Sequence, residues 1–114
     1  MTYEALPLPD IAERLGVKYT RVRQLVADHK LLAYRNDDGI LVVPEVCLVE
    51  EDGRTIPLPD LRGTLLTLLD GGFTTEEAGR WLLTPHPVLG REPIELLREG
   101  AHKRVNRQAR AEAF

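Results

Sequence analysis

The sequence contains no serine and only one cysteine, Cys47. The first absence excludes a serine nucleophile. The second excludes an intrachain disulfide and fits a reducing interior. Cys47 lies in the apolar run VVPEVCLV, with Glu45, Glu50 and Glu51 close by. Acidic neighbours are the wrong sign for a reactive thiol, so Cys47 reads as a small buried hydrophobe. No apolar run approaches the roughly 20 residues that a membrane helix needs. The opening residues, MTYEALPLPD, lack the basic-then-apolar order of a signal peptide. A cytoplasmic protein with no membrane partner is expected.

Other catalytic devices are also missing. His29, His86 and His102 are scattered, and no Cys/His spacing forms a metal site. Gly71-Gly72 is not followed by the lysine and hydroxyl residue of a phosphate loop, and reads instead as the end of a helix. Asp60 and Asp70 read as helix-terminal residues rather than an acid/base pair. No catalytic residue, metal or cofactor is assigned, and a non-enzyme is expected.

What is present is a soluble, globular composition: 43% hydrophobic and 29% charged residues. At 114 residues the chain makes one compact unit or two very small ones. Its net charge of −3 hides a strong asymmetry. From Arg14 to Arg35 there are six basic residues against one acid. From Asn36 to Asp60 there is one basic residue against seven acids. From His102 to Arg110 there are four basic residues and no acid. A polyanion responds to the local face rather than to the total, so a basic patch on an acidic protein is no contradiction.

Leu8, Ile11, Ala12 and Leu15 share one face of a short helix over residues 9–15, with Asp10 at its start and Gly16 at its end. Thr20 is a natural N-cap for a second helix over about residues 21–30, with Val22, Leu25 and Val26 facing inward. Two β-prone runs then flank Asn36-Asp37-Asp38-Gly39, a strong hairpin signal. Residues 46–56 form either a second hairpin at Asp52-Gly53 or an extended link. After Pro57 come helices from Asp60 to Gly71, from Thr74 or Thr75 to Thr84, from Pro93 to Gly100, and over the C-terminal residues. Trp81 is expected in the core.

Helix, glycine turn, helix and hairpin in that order make a winged helix-turn-helix. The expected fold is mainly α with a small β-hairpin wing, followed by a bundle of about four short helices. Residues 1–57 form the DNA-binding domain in this reading, and residues 58–114 a helical domain packed on it or used for interaction. The second helix enters the major groove, and surrounding cations neutralise phosphates. Arg21, Arg23 and Gln24 are assigned to the groove. Lys18, Tyr19, Thr20 and Arg35 are assigned to the DNA backbone. Tyr34 and Arg35 lie on the wing and Asn36 at its tip. Lys103, Arg104, Arg107 and Arg110 are either a solvated helix face or a second phosphate-contacting surface. The alternative function is a protein-interaction module whose C-terminal helices bind a partner.

The stretch LPDIAERLGVKYTRVRQLVADHKLLAYRNDDGILVVPEVCL resembles small bacterial winged helix-turn-helix domains of the MerR and excisionase group. The remainder, with LLDGGF, EEAGRWL and the following proline and leucine, resembles small actinobacterial-type DNA-binding proteins. Those proteins join such a domain to a C-terminal helical region. The resemblance covers nearly the whole chain and implies a transcriptional regulator on double-stranded DNA; a nucleoid-associated location is expected, and a homodimer is one option because helix-turn-helix proteins commonly dimerise to read two half-sites. Gly79, Trp81-Leu82, Pro87, Leu89-Gly90, Pro93 to Leu97 and Gly100 are also similar to the toxin-binding region of the Xre/MbcA/ParS-type antitoxins. That similarity implies a protein partner at these helices, although the chain departs from those antitoxins in its winged N-terminal half.

Overall fold

A helix whose apolar residues repeat at three- and four-residue spacing buries one face, and the first two helices do so against each other. The computed structural model describes residues 3–112. Helix α1 spans Leu8–Leu15 and buries Leu8, Ile11 and Ala12. Asp10 is a first-turn acid rather than the N-cap, which is Pro7. Gly16 takes a left-handed conformation (φ 69°) and sends the chain into the turn. Helix α2 spans Tyr19–Ala27 and buries Val22 and Leu25, with Val26 half-buried against the core.

The start of α2 corrects the expectation for Thr20. The N-cap is Lys18, no side chain caps the helix, and Thr20 lies inside the first turn. Thr20 looked like a cap by residue type alone. The helix begins at Tyr19, two residues earlier than Thr20 as a cap would allow.

Strand β1 (Ala5–Pro7) was not expected. It pairs antiparallel with β3 (Leu41–Pro44), and β3 also pairs with β2 (Tyr34–Arg35), in the order β1-β3-β2. Two prolines in MTYEALPLPD argue against a strand. Only Pro7 lies in β1, where an edge position tolerates it because one side of the strand needs no partner; Pro9 lies in the first turn of α1. The β2–β3 hairpin is the wing. A 3₁₀ turn over Glu45–Cys47 leads to a second hairpin, β4 (Leu48–Glu51) and β5 (Arg54–Pro57). Asp52 and Gly53 both have positive φ, 53° and 77°, as a tight hairpin turn requires.

Four helices follow: α3 (Leu61–Asp70), α4 (Thr75–Leu83), α5 (Pro93–Arg98) and α6 (His102–Ala111). Helix α4 opens with a capping box, in which Thr74 Oγ1 accepts from Glu77 N and Glu77 Oε1 accepts from Thr74 N. Pro93 stands in the first turn of α5. Helix α6 packs along α3, where the buried Thr64 hydroxyl donates to Asn106 Oδ1 at 2.5 Å.

One continuous hydrophobic cluster runs through both halves of the chain, from Ile11, Val22 and Leu32 to Leu61, Leu82, Ile94 and Val105. Burying each such leucine or isoleucine stabilises the fold by about 1.5–3 kcal/mol. Gly79 lets α4 approach the helix-turn-helix closely: a Cβ at that position would lie 3.2 Å from Leu32 Cδ1. Tyr3 donates its hydroxyl to Glu95 Oε2 at 2.7 Å. Cys47 is fully buried, and burial pushes its thiol up to about 12. Trp81, expected in the core, is instead only half-buried against its rim. It meets the His86 ring edge-on at 5.5 Å, and its buried Nε1 has no hydrogen-bond partner among the described residues.

Candidate nucleic-acid interface

Helix α2 and the wing carry the residues assigned from the sequence. Lys18, Tyr19, Thr20, Arg21, Arg23 and Gln24 are all exposed. At 3.6 residues per turn, Arg21 and Arg23 point about 160° apart around the axis. Thr20, Gln24 and Ala27 lie on the outward face between them, opposite Val22 and Leu25. The structure therefore separates the two arginines assigned together to the groove. They stand on opposite flanks of the helix.

The electrostatics favour an anion at the start of α2. Its first turn holds no acid, its N-cap is a lysine, and no side chain caps its free amides. A positive helix end without an acid is locally unfavourable, and a phosphate would supply the missing charge. Four ion pairs occur among the described residues: Arg14–Glu45, His86–Glu112, Arg91–Glu99 and His102–Asp60. None involves Lys18, Arg21, Arg23, Lys30 or Arg35. Arg14, counted in the basic run, is turned to Glu45 instead. Gln24 Nε2 donates to Asp28 Oδ1 at 3.0 Å, so this contact must yield before Gln24 reads a base.

The wing tip is internally braced. Asn36 Oδ1 accepts from the amides of Asp38 and Ile40, both at 3.0 Å, and Gly39 has φ 77°. Arg35 Nη1 donates to the Gly39 carbonyl at 2.8 Å. Asn36 therefore shapes the tip with its carbonyl. Tyr34 is half-buried and lines a groove between β2 and α4 together with Arg35 and Arg80. Arg80 belongs to the second half of the chain and was not singled out from the sequence.

Helix α6 is amphipathic, with Val105 and Ala109 buried and Lys103, Arg104, Arg107 and Arg110 exposed. Arg104 Nη2 donates to the Leu89 carbonyl at 3.1 Å, which gives this arginine a structural contact. Arg62, at the second position of α3, was also missed from the sequence. Its Nε donates to the Asp28 carbonyl at 2.9 Å and so caps the C-terminus of α2. Asp28 is 34 positions away in sequence, and no local pattern signals that pairing. Among the described residues, no group of three or more His, Cys, Asp or Glu side chains is placed to hold a metal ion. No helix is long and apolar enough to cross a membrane.

The paired helices, glycine turn and β2–β3 wing define a winged helix-turn-helix protein with an all-helical C-terminal half. Residues 2–48 match the family described as the winged helix-turn-helix domain of DNA-binding protein Rv2175c. Residues 58–113 match the family described as the Rv2175c C-terminal domain of unknown function. The chain is 33% identical over 119 residues to the DNA-binding protein Rv2175c of Mycobacterium tuberculosis, covering 94% of this chain and 79% of that protein. It superposes on the NMR structure of Rv2175c with a TM-score of 0.83 at 31% identity, over 99% of this chain and 83% of that one. The chain belongs to the Rv2175c family.

Proposed function

We propose that this chain binds double-stranded DNA through α2 and the β2–β3 wing and acts as a transcriptional regulator without catalysing a reaction. The observation that carries this reading is the exposed cation set Lys18, Arg21, Arg23 and Lys30 around α2, none of it ion-paired among the described residues. Cations that neutralise phosphates release counterions and provide most of the affinity. The name of the Mycobacterium tuberculosis relative supports the same reading. Thr20 and Gln24 face the bases, Arg21 and Arg23 flank them, and Lys18 and Tyr19 meet the backbone with Arg35 from the wing. The N-terminal half carries these contacts and shares one core with the C-terminal half.

The test is a fluorescence-anisotropy titration with a duplex of about 25 base pairs, long enough for two half-sites one turn apart. Binding that weakens steeply with salt is expected. No binding at low salt overturns the reading.

A second reading places a protein partner, as in the antitoxins, on the C-terminal helices. One observation favours it: the open groove beside α4, lined by Trp81, Thr84, Pro85 and His86. A shift of tryptophan emission on adding a partner tests it. Light scattering of the free protein tests whether two copies assemble.

A further inference from the structure

We propose that the C-terminal half belongs to the DNA interface itself, with Arg62 contacting one phosphodiester strand that runs along the groove between α2 and the β5–α3 link. This rests on the DNA-binding reading above and adds a surface to it.

The groove has a volume of ≈ 370 Å³ and brings together three chain segments. Arg21 comes from the flank of α2, Lys30 from just beyond its end, and Arg62 from α3. Leu25, Ile56 and Leu58 form the apolar wall behind them. No carboxylate lines the groove. None of the three cations is in an ion pair among the described residues. The nearby Asp28 carboxylate is engaged by Gln24 Nε2 at 3.0 Å.

Arg62 is anchored through its Nε. Its Nε–H···O bond to the Asp28 carbonyl, at 2.9 Å, fixes the guanidinium at the end of α2. That bond uses one of the five donors of an arginine and leaves the outer nitrogens for an anion. Arg21 stands on the flank of α2 that faces this groove, away from Arg23. Three cations lining one groove, with no carboxylate in its lining, complement the backbone of a duplex whose major groove receives α2.

The experiment measures the salt dependence of DNA affinity for the full chain, for Arg62→Gln and for Arg62→Lys, on one duplex. Glutamine keeps a donor for the Asp28 carbonyl and loses the charge; lysine keeps the charge. The slope of log affinity against log salt is expected to fall by about 1 for Arg62→Gln and to stay near the unmodified value for Arg62→Lys. Thermal unfolding of each variant checks the cap at the same time. An unmodified slope in a folded Arg62→Gln, with or without a lower melting temperature, makes Arg62 only a helix cap and overturns the proposal. Inorganic phosphate that raises the melting temperature of the unmodified chain but not of Arg62→Gln, with the DNA slope unchanged, assigns the groove to a free anion and also overturns it. If the unmodified chain itself shows no salt-dependent DNA binding, the DNA-binding reading fails first, a separate result.

Discussion

Arg98 Nη1 donates to the Leu48 carbonyl at 2.7 Å and also reaches the Val46 carbonyl at 2.9 Å. One guanidinium thus ties α5 to the chain where the 3₁₀ turn becomes β4. The charged half-bond is stronger than a neutral one, and its loss strands two carbonyls. Arg98→Ala is expected to lower unfolding free energy by about 1–3 kcal/mol, measured by urea titration. DNA affinity of the folded variant should not change, because Arg98 lies outside the α2 surface.

Arg21 and Arg23 point to opposite sides of α2, so their contributions to DNA binding should be independent. Each alanine variant removes one flanking phosphate contact and is expected to weaken binding about equally on every sequence, lowering the salt slope by about 1. The double variant should lose the sum, within about 0.5 kcal/mol. Anisotropy titration of the three variants measures this. Normal affinity in both single variants would remove the assignment.

The basic face of α6 is best tested by substitution, not by truncation. Deleting residues from His102 onward would remove the fully buried Val105 and the buried Ala109, and the core would open. Replacing Lys103, Arg107 and Arg110 by glutamine leaves that face intact. If these side chains contact phosphates, the salt slope falls by about 3. A solvated face leaves it unchanged.

The Thr74–Glu77 capping box makes a stability prediction with a pH signature. Thr74→Ala is expected to cost about 1 kcal/mol, measured as a fall in melting temperature. The hydrogen bonds from Thr74 hold the Glu77 carboxyl below its ordinary range, the backbone amide first. A lowered folded pKa gives stability that is present above the unfolded value and is lost as pH falls through the folded one. The acid-side loss of stability should therefore be smaller in Glu77→Gln than in the unmodified chain. Identical pH profiles would disprove the link.

Much of the fold is legible because its signals are local. Gly16, Asp52-Gly53 and Gly39 sit at turns that need positive φ, and a glycine or aspartate there announces itself within two or three residues. The spacing of Ile11, Val22 and Leu25 marks the buried faces, and Thr74 with Glu77 marks a helix start. The same locality misleads at Thr20, which has the chemistry of a cap but sits where packing of Val22 already demands helix. It also misleads at Trp81, whose size suggests the core but whose position beside the 84–92 loop leaves it at the rim.

The candidate site divides in the same way. The basic run, the paired helices and the wing tip at Asn36 can be found by reading along the chain. Which cations remain unpaired cannot. Arg14 is taken by Glu45, 31 positions away, whereas Arg21 and Arg23 are in no ion pair among the described residues.

The sequence alone determined the order of the six helices and the first hairpin, the charge asymmetry and the winged plan, because caps, turns and hydrophobic periodicity act over a few neighbouring residues. Tertiary structure alone decided that β1 joins the wing sheet, that both halves share one core, and that Arg62 closes α2 from the far side of the chain. Those outcomes depend on surfaces that meet only after collapse, when burying Leu32 against Gly79 and Leu61 against its neighbours brings distant segments into hydrogen-bonding range.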